Sequence, residues 1–223
     1  MIDRRHTLLT LSAAAAAASA PSAWAQQAWK EGEHYTRLPQ PVPGPAGKIE
    51  VVEFFAYSCP MCNAFEPALG AWAKRLPPNV VFRHQHFLLR EAIRPHHRLF
   101  FTLEAMGVES KFRAAIFEAL HVQRLRLESL DDMLKLLQPR GLDVARFRST
   151  WTAFEPKAFS AARIENAQRQ ATQAYRINGV PTLAIGGRFL VSPPEAAGRR
   201  PENPVGAAAL RLSDHLLSNL RTA

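Results

Sequence analysis

Cys59 and Cys62 are the only two cysteines among 223 residues, and two residues separate them. A thiolate attacks a disulfide sulfur to form a mixed disulfide, and a second thiol nearby can release it, so a C-x-x-C pair is a compact device for thiol-disulfide exchange. As a staple the pair would do little, because a bridge over two residues closes almost no loop. The other chemistry open to it is zinc binding, which needs two further ligands. His84 and His86, or His96 and His97, are available. Their spacing matches no common zinc module, and Pro60 directly after Cys59 favours redox chemistry.

The elements that must position the pair can be read around it. Ile49, Val51, Val52, Phe54 and Phe55 form a β-branched and aromatic run, which predicts a strand buried on both faces. Ser58-Cys59-Pro60 follows at once, and proline suits the first position of a helix. The pattern predicts a helix from Pro60 to about Arg75, stopped by Pro77-Pro78. Cys59 then sits at the helix start, where unpaired N-H groups and the helix dipole favour a thiolate. Cys62 lies one turn further along the same side, placed to resolve a mixed disulfide on Cys59. Glu53 is a charge in an otherwise apolar strand, which is costly and asks for a reason.

Val80 to Leu88 reads as a second strand with Phe82, His84 and His86 on one face. Helical stripes follow: Leu99, Leu103 and Met106, then Phe112, Ile116 and Leu120, both core material. Ser129-Leu-Asp-Asp132 resembles a capping box before Met133, Leu134 and Leu137. Asp143 can cap a helix carrying Val144, Phe147, Trp151 and Phe154. A further helix is expected from about Pro156 to Tyr175, closed by a turn at Asn178-Gly179. Pro181 to Ile185 and Arg188 to Val191 read as strands joined through Gly186-Gly187, and Val205 to Leu220 as a terminal helix. Pro39 to Pro45 is too rich in proline for either element and reads as a surface connection.

At the amino terminus, Arg4 and Arg5, the apolar stretch Leu8 to Ala18, and Ala23-Trp24-Ala25 together read as an export signal cleaved near Ala25. The basic pair leaves general and twin-arginine export both open. Cleavage removes one Asp and two Arg and lowers the formal charge from +9 to +8. No run of five or more basic residues occurs, so the charge reads as a solvated surface and not as a nucleic-acid stripe.

Glu53-Phe-Phe-Ala-Tyr-Ser-Cys-Pro-Met-Cys62, with Phe65-Glu66 after it, resembles the active-site segment of DsbA-type proteins of the thioredoxin superfamily. Gly32 to Leu38 is similar to their first strand region, and Gly179-Val-Pro-Thr182 with Gly187-Arg-Phe189 to their cis-proline loop and final hairpin. The resemblance implies an α/β thioredoxin fold with an inserted helical domain: residues 26-87 as the first part, 88-155 as the insertion framing an apolar substrate groove, and 156-223 as the second part. It implies a periplasmic, monomeric thiol:disulfide oxidase acting on exported client proteins with free thiols. A DsbB-type membrane oxidase would reoxidise it, and no cofactor beyond the Cys59-Cys62 disulfide is implied. Pro181 would be the cis-proline facing the pair, with Val180, Pro60 and Met61 meeting the substrate. Glu53 would be the buried acid that relays the proton of the resolving thiol, and Glu66 its partner acid. Two positions depart from the family pattern. Met61 stands where these oxidases usually have histidine, and His84 where many have lysine. Met61 offers the thiolate no positive charge, which predicts a Cys59 pKa below an ordinary thiol's but above that of the histidine-bearing oxidases. The rival readings are a disulfide isomerase or reductase, and a non-enzymatic metal-binding or chaperone-like protein. A separate dimerisation domain, usual in periplasmic isomerases, has too little room between Gln26 and Lys48.

Overall fold

The computed structural model describes residues 29-155, 158 and 160-221, so the expected export signal lies outside the described residues. A five-stranded sheet in the order β1-β5-β4-β2-β3 carries the fold, with β1 at Thr36-Arg37, β2 at Ile49-Phe55, β3 at Val80-His86, β4 at Thr182-Ile185 and β5 at Phe189-Val191. β2 runs parallel to β3, and the other pairings are antiparallel. A parallel pair needs a crossover. α1, Pro60-Ala73, supplies it between β2 and β3. The β4-β5 hairpin turns through three residues, Gly186, Gly187 and Arg188, with both glycines at positive φ and the Arg188 N-H bonded to the Ile185 carbonyl. At Gly187 a Cβ would also fall 1.9 Å from the Val42 carbonyl oxygen, so the close approach of the Pro39-Pro45 connection requires glycine there.

Strand alternation assigns each β2 residue a layer. Val51 packs under α1 and the terminal helix α8, Ala207-Arg221. Val52 and Phe54 face the other way, onto Ala171, Tyr175 and Ile177. Phe55, at the carboxyl end, joins the core of the helices that follow β3: α2 at Arg94-Ala105, α3 at Glu109-His121, α4 at Leu130-Leu137 and α5 at Val144-Ala153. Both expected caps are present. Ser129 and Asp132 form a reciprocal capping box before α4, and the Asp143 side chain accepts from the Arg146 N-H at the start of α5.

The helix expected from about Pro156 is described from Ala161 onward, positions 156, 157 and 159 lying outside the described residues. α6 spans Ala161-Arg169 and passes into a single π turn, Gln170-Ala174. Ahead of it the Ala158 N-H bonds the Glu155 carbonyl and the Ser160 N-H bonds Ala153, so these backbone donors are met without a helix. Two further elements escaped the sequence pattern: a break in the donor series of α1 at Pro67, and a short helix α7, Pro193-Ala196, after β5.

Candidate active site

Cys59 caps α1 from an extended backbone, φ −83° and ψ 117°, and its sulfur accepts the Cys62 N-H at 3.3 Å. The Cys59 thiol in turn donates to the Val180 carbonyl at 3.5 Å. Val180-Pro181 is a cis peptide bond. The structure thus brings Cys59, Cys62, Val180 and Pro181 together across 121 positions of sequence. Pro60 and Met61 are exposed above the pair, Cys59 is half-buried and Cys62 is fully buried; both cysteines are free thiols.

The two sulfurs are chemically unequal. A hydrogen bond from the Cys62 thiol, with the backbone N-H groups of Cys62 and Met61, holds Cys59 down to about 7 against burial and repulsion from Glu53. Burial pushes the Cys62 thiol far up, reinforced by its hydrogen bond to Cys59 and by the negative charges of Cys59 and Glu53. Near neutral pH a large share of Cys59 is thiolate while Cys62 keeps its proton.

Glu53 is fully buried on β2, and its Oε2 accepts from His84 Nδ1 at 2.6 Å and Arg113 Nη2 at 2.9 Å. Glu53 Oε1 has no protein partner. Arg113, on α3, also donates from Nε to Glu66 at 2.7 Å and from Nη1 to Glu109 at 3.1 Å. Its guanidinium lies 4.0 Å from the Phe55 ring centre. Burial opposes the charge on Arg113, but Glu53, Glu109 and Glu66 outweigh it and hold the proton more firmly than an ordinary arginine does. Glu66, expected as the partner acid of Glu53, meets it through this shared arginine.

Tyr57, two residues before Cys59, is gripped at three points. Its hydroxyl donates to Glu109 at 2.6 Å, its N-H to His86 Nε2 at 3.3 Å, and its carbonyl accepts from His121 Nε2 at 2.8 Å. With Nε2 of His86 accepting, Nδ1 carries the proton and donates to His97 Nδ1 at 3.0 Å. Burial holds the Tyr57 hydroxyl well above the ordinary phenol value, with Glu109 adding to the effect.

Arg113, Glu109 and Tyr57 were not singled out in the sequence. The signal was there for two of them: Glu109 and Arg113 are four apart and fall on the same stripe as Phe112 and Ile116, an ion pair on an apolar face. The histidines nominated as metal ligands are engaged otherwise, His84 with Glu53, His86 with His97, and His96 with the Arg126 carbonyl. Among the described residues no group of three or more His, Cys, Asp or Glu side chains is arranged around a common point that could hold a metal. A cavity opens beside Pro181. It is lined by residues 36-39, 176-182 and 190-199, arginines among them, because β1 pairs with β5 and so faces the Pro181 loop.

Known proteins resemble this chain in sequence and fold. A family profile for the DSBA-like thioredoxin domain matches residues 50-197. The thiol:disulfide interchange protein DsbA of Azotobacter vinelandii is 39% identical over 195 residues, 87% of this chain and 86% of the relative. That of Pseudomonas aeruginosa is 36% identical over 98% of both chains. The crystal structure of Pseudomonas aeruginosa DsbA superposes with a TM-score of 0.77 at 34% identity, over 87% of this chain and 95% of that one. The oxidoreductase DsbA of Xylella fastidiosa gives 0.74 at 29% identity, over 87% and 98%. With a redox-type cysteine pair at the head of α1 and an inserted helical layer after β3, the chain belongs to the DsbA family of thiol:disulfide oxidoreductases.

Proposed function

We propose that the chain is a periplasmic oxidase, exported through residues 1-25, that donates its Cys59-Cys62 disulfide to client proteins. The observation that carries this reading is the inequality of the two thiols, Cys59 accessible and held near 7, Cys62 buried and protonated. A client thiolate attacks Cys59 Sγ, the Cys59-Cys62 bond breaks, and its electron pair passes to Cys62, which takes up a proton. A second client thiolate then attacks the client sulfur of the mixed disulfide, and Cys59 leaves as a thiolate. The client loses two electrons and the protein gains them. A stabilised thiolate makes the reduced protein the favoured product and therefore the disulfide a good oxidant. Glu53, buried with Oε1 unpartnered and with its charge raising the Cys62 thiol, would exchange the Cys62 proton.

Pro181 supplies no N-H, and beside it the Val180 backbone offers its groups to an extended client segment in the manner of an added strand. Pro60 and Met61 form the exposed rim that the client meets. A DsbB-type membrane oxidase would take the electrons from the reduced pair, and the protein acts as a monomer with no cofactor and no nucleic-acid partner. The domain limits 26-87, 88-155 and 156-223 belong to the same reading.

Trapping tests the assignment. Cys62→Ser is expected to accumulate mixed disulfides with clients and Cys59→Ser to accumulate none; the reverse pattern would exchange the two roles. Equilibration with glutathione tests the direction, since a potential as low as thioredoxin's, about −270 mV, would make the protein a reductase.

A further inference from the structure

The cavity beside Pro181, about 440 Å³, opens between the loop that carries Val180 and the segment around β1. Its wall includes Val180, whose carbonyl accepts from the Cys59 thiol. Three arginines line it, Arg37, Arg176 and Arg199, against one acid, Glu195. Arg37 is partly neutralised by Glu31 at 2.9 Å. Arg176 and Arg199 are exposed, and among the described residues neither forms an ion pair. Both also sit in the left-handed backbone region, at φ 54° and 59°. Glycine or asparagine adopts that region at lower cost than arginine, so local backbone preference does not account for either guanidinium. An exposed arginine on a chain of net charge +9 is ordinarily a solvated surface group. Here three line one concavity whose wall includes Val180, the hydrogen-bond partner of the reacting sulfur.

We propose that this cavity binds an acidic stretch of the extended client, Asp or Glu residues within a few positions of the reacting cysteine, and that the enzyme thereby prefers clients whose cysteines have carboxylate neighbours. The inference rests on the oxidase reading and names its substrate class. An extended segment advances about 3.3 Å per residue with side chains alternating in direction, so a client held at Val180 presents every second side chain to the arginines. Guanidinium groups take carboxylates in paired hydrogen bonds, and a concave site of one sign raises the local concentration of opposite charge.

The test compares oxidation of three dithiol peptides by the oxidised protein, identical except for Glu, Gln or Lys flanks, with dithiothreitol as an uncharged reductant. At low ionic strength the Glu peptide should react about tenfold faster than the Gln peptide and the Lys peptide slowest, with the spread shrinking near 1 M salt, where the Debye length is about 3 Å. Arg176→Asn with Arg199→Asn keeps a residue suited to positive φ while removing both charges, and should reduce the Glu-to-Gln ratio to about twofold or less. Each single variant should give an intermediate ratio, which covers the case of a double variant that fails to fold. Arg146→Gln, on α5 and outside the cavity, should retain the wild-type ratio and the wild-type rate with dithiothreitol. Equal rates for the Glu and Gln peptides, or a ratio that survives in the double variant, would overturn the proposal while leaving the oxidase intact. Failure to oxidise dithiothreitol at all would remove the oxidase reading, and the cavity's role with it.

Discussion

Phe55 and Tyr57 touch two buried polar clusters that solve the same problem in opposite ways. On one side Arg113 joins Glu53, Glu66 and Glu109 and so remains charged out of water. On the other, His86 donates its Nδ1-H to His97 Nδ1 and both rings remain neutral. Burial, with the neighbouring His97 and His96, holds His86 well below the ordinary imidazole value, and His97 is lowered to about 4. The charged cluster spends the fixed geometry of a guanidinium on three carboxylates. Both clusters leave polar atoms without a protein partner, Glu53 Oε1 and Glu66 Oε2 in the charged one, His97 Nε2 and His96 Nδ1 in the neutral one. A buried charge is tolerable where every neighbour opposes it, and a buried imidazole where it gives the charge up.

Arg113→Met should break the contrast most strongly. It leaves Glu53 and Glu109 buried without their cation, a loss of about 3-5 kcal/mol, read as the shift of a urea midpoint. Adding Glu53→Gln should restore part of that loss; a neutral outcome for the single variant would mean that pairing does not hold this cluster.

The histidine side should show itself as acid sensitivity. His97 binds a proton near 6.5 when unfolded but near 4 when folded. Stability is therefore intact above about 6.5 and is lost as pH falls through 4, by about 3 kcal/mol at about 1.4 kcal/mol per tenfold change in proton affinity. The Arg94 charge works with burial in this and Glu91 against it. His97→Phe should flatten the difference in stability between pH 7 and pH 4, measured against the wild type at each pH. An unchanged slope would place the acid sensitivity elsewhere.

Tyr57→Phe removes the 2.6 Å bond to Glu109 but leaves that carboxylate its arginine. The expected cost is about 2 kcal/mol, by the same denaturation assay. The smallest effect belongs to the rim outside both clusters: Met61→His should lower the Cys59 pKa from about 7, followed by thiolate absorbance, and raise the potential by about 30 mV for each unit. If both stay fixed, the Cys62 thiol and the N-H groups at the α1 start set the thiolate without the middle residue.

The same contrast marks what the sequence discloses. Cys59 with Cys62, the Ser129 capping box and the Gly186-Gly187 turn are local, their chemistry resting on residues a few positions away, and they were legible; the Pro181 loop meets Cys59 across 121 positions and was reached only through the family resemblance. Glu53 was legible as an anomaly, a charge in an apolar run, though not what answers it. Arg113 lies 60 positions from Glu53, and only packing of α3 over β2 brings them together. The late start of α6 was hidden for a related reason, since helical periodicity continues through residues whose backbone donors are met by turns.

β2 is flanked by β3, which follows it closely, and by β4, whose register sets Val51 against Ile185. The centre of the sheet therefore cannot close until some 130 further residues are present, and contacts of such separation form slowly. A chain delivered from its amino terminus presents Cys59 and Cys62 long before Val180 and Pro181 arrive to cover them. In that interval the protein that handles the thiols of others is itself an unfinished substrate, with its two sulfurs open to any partner.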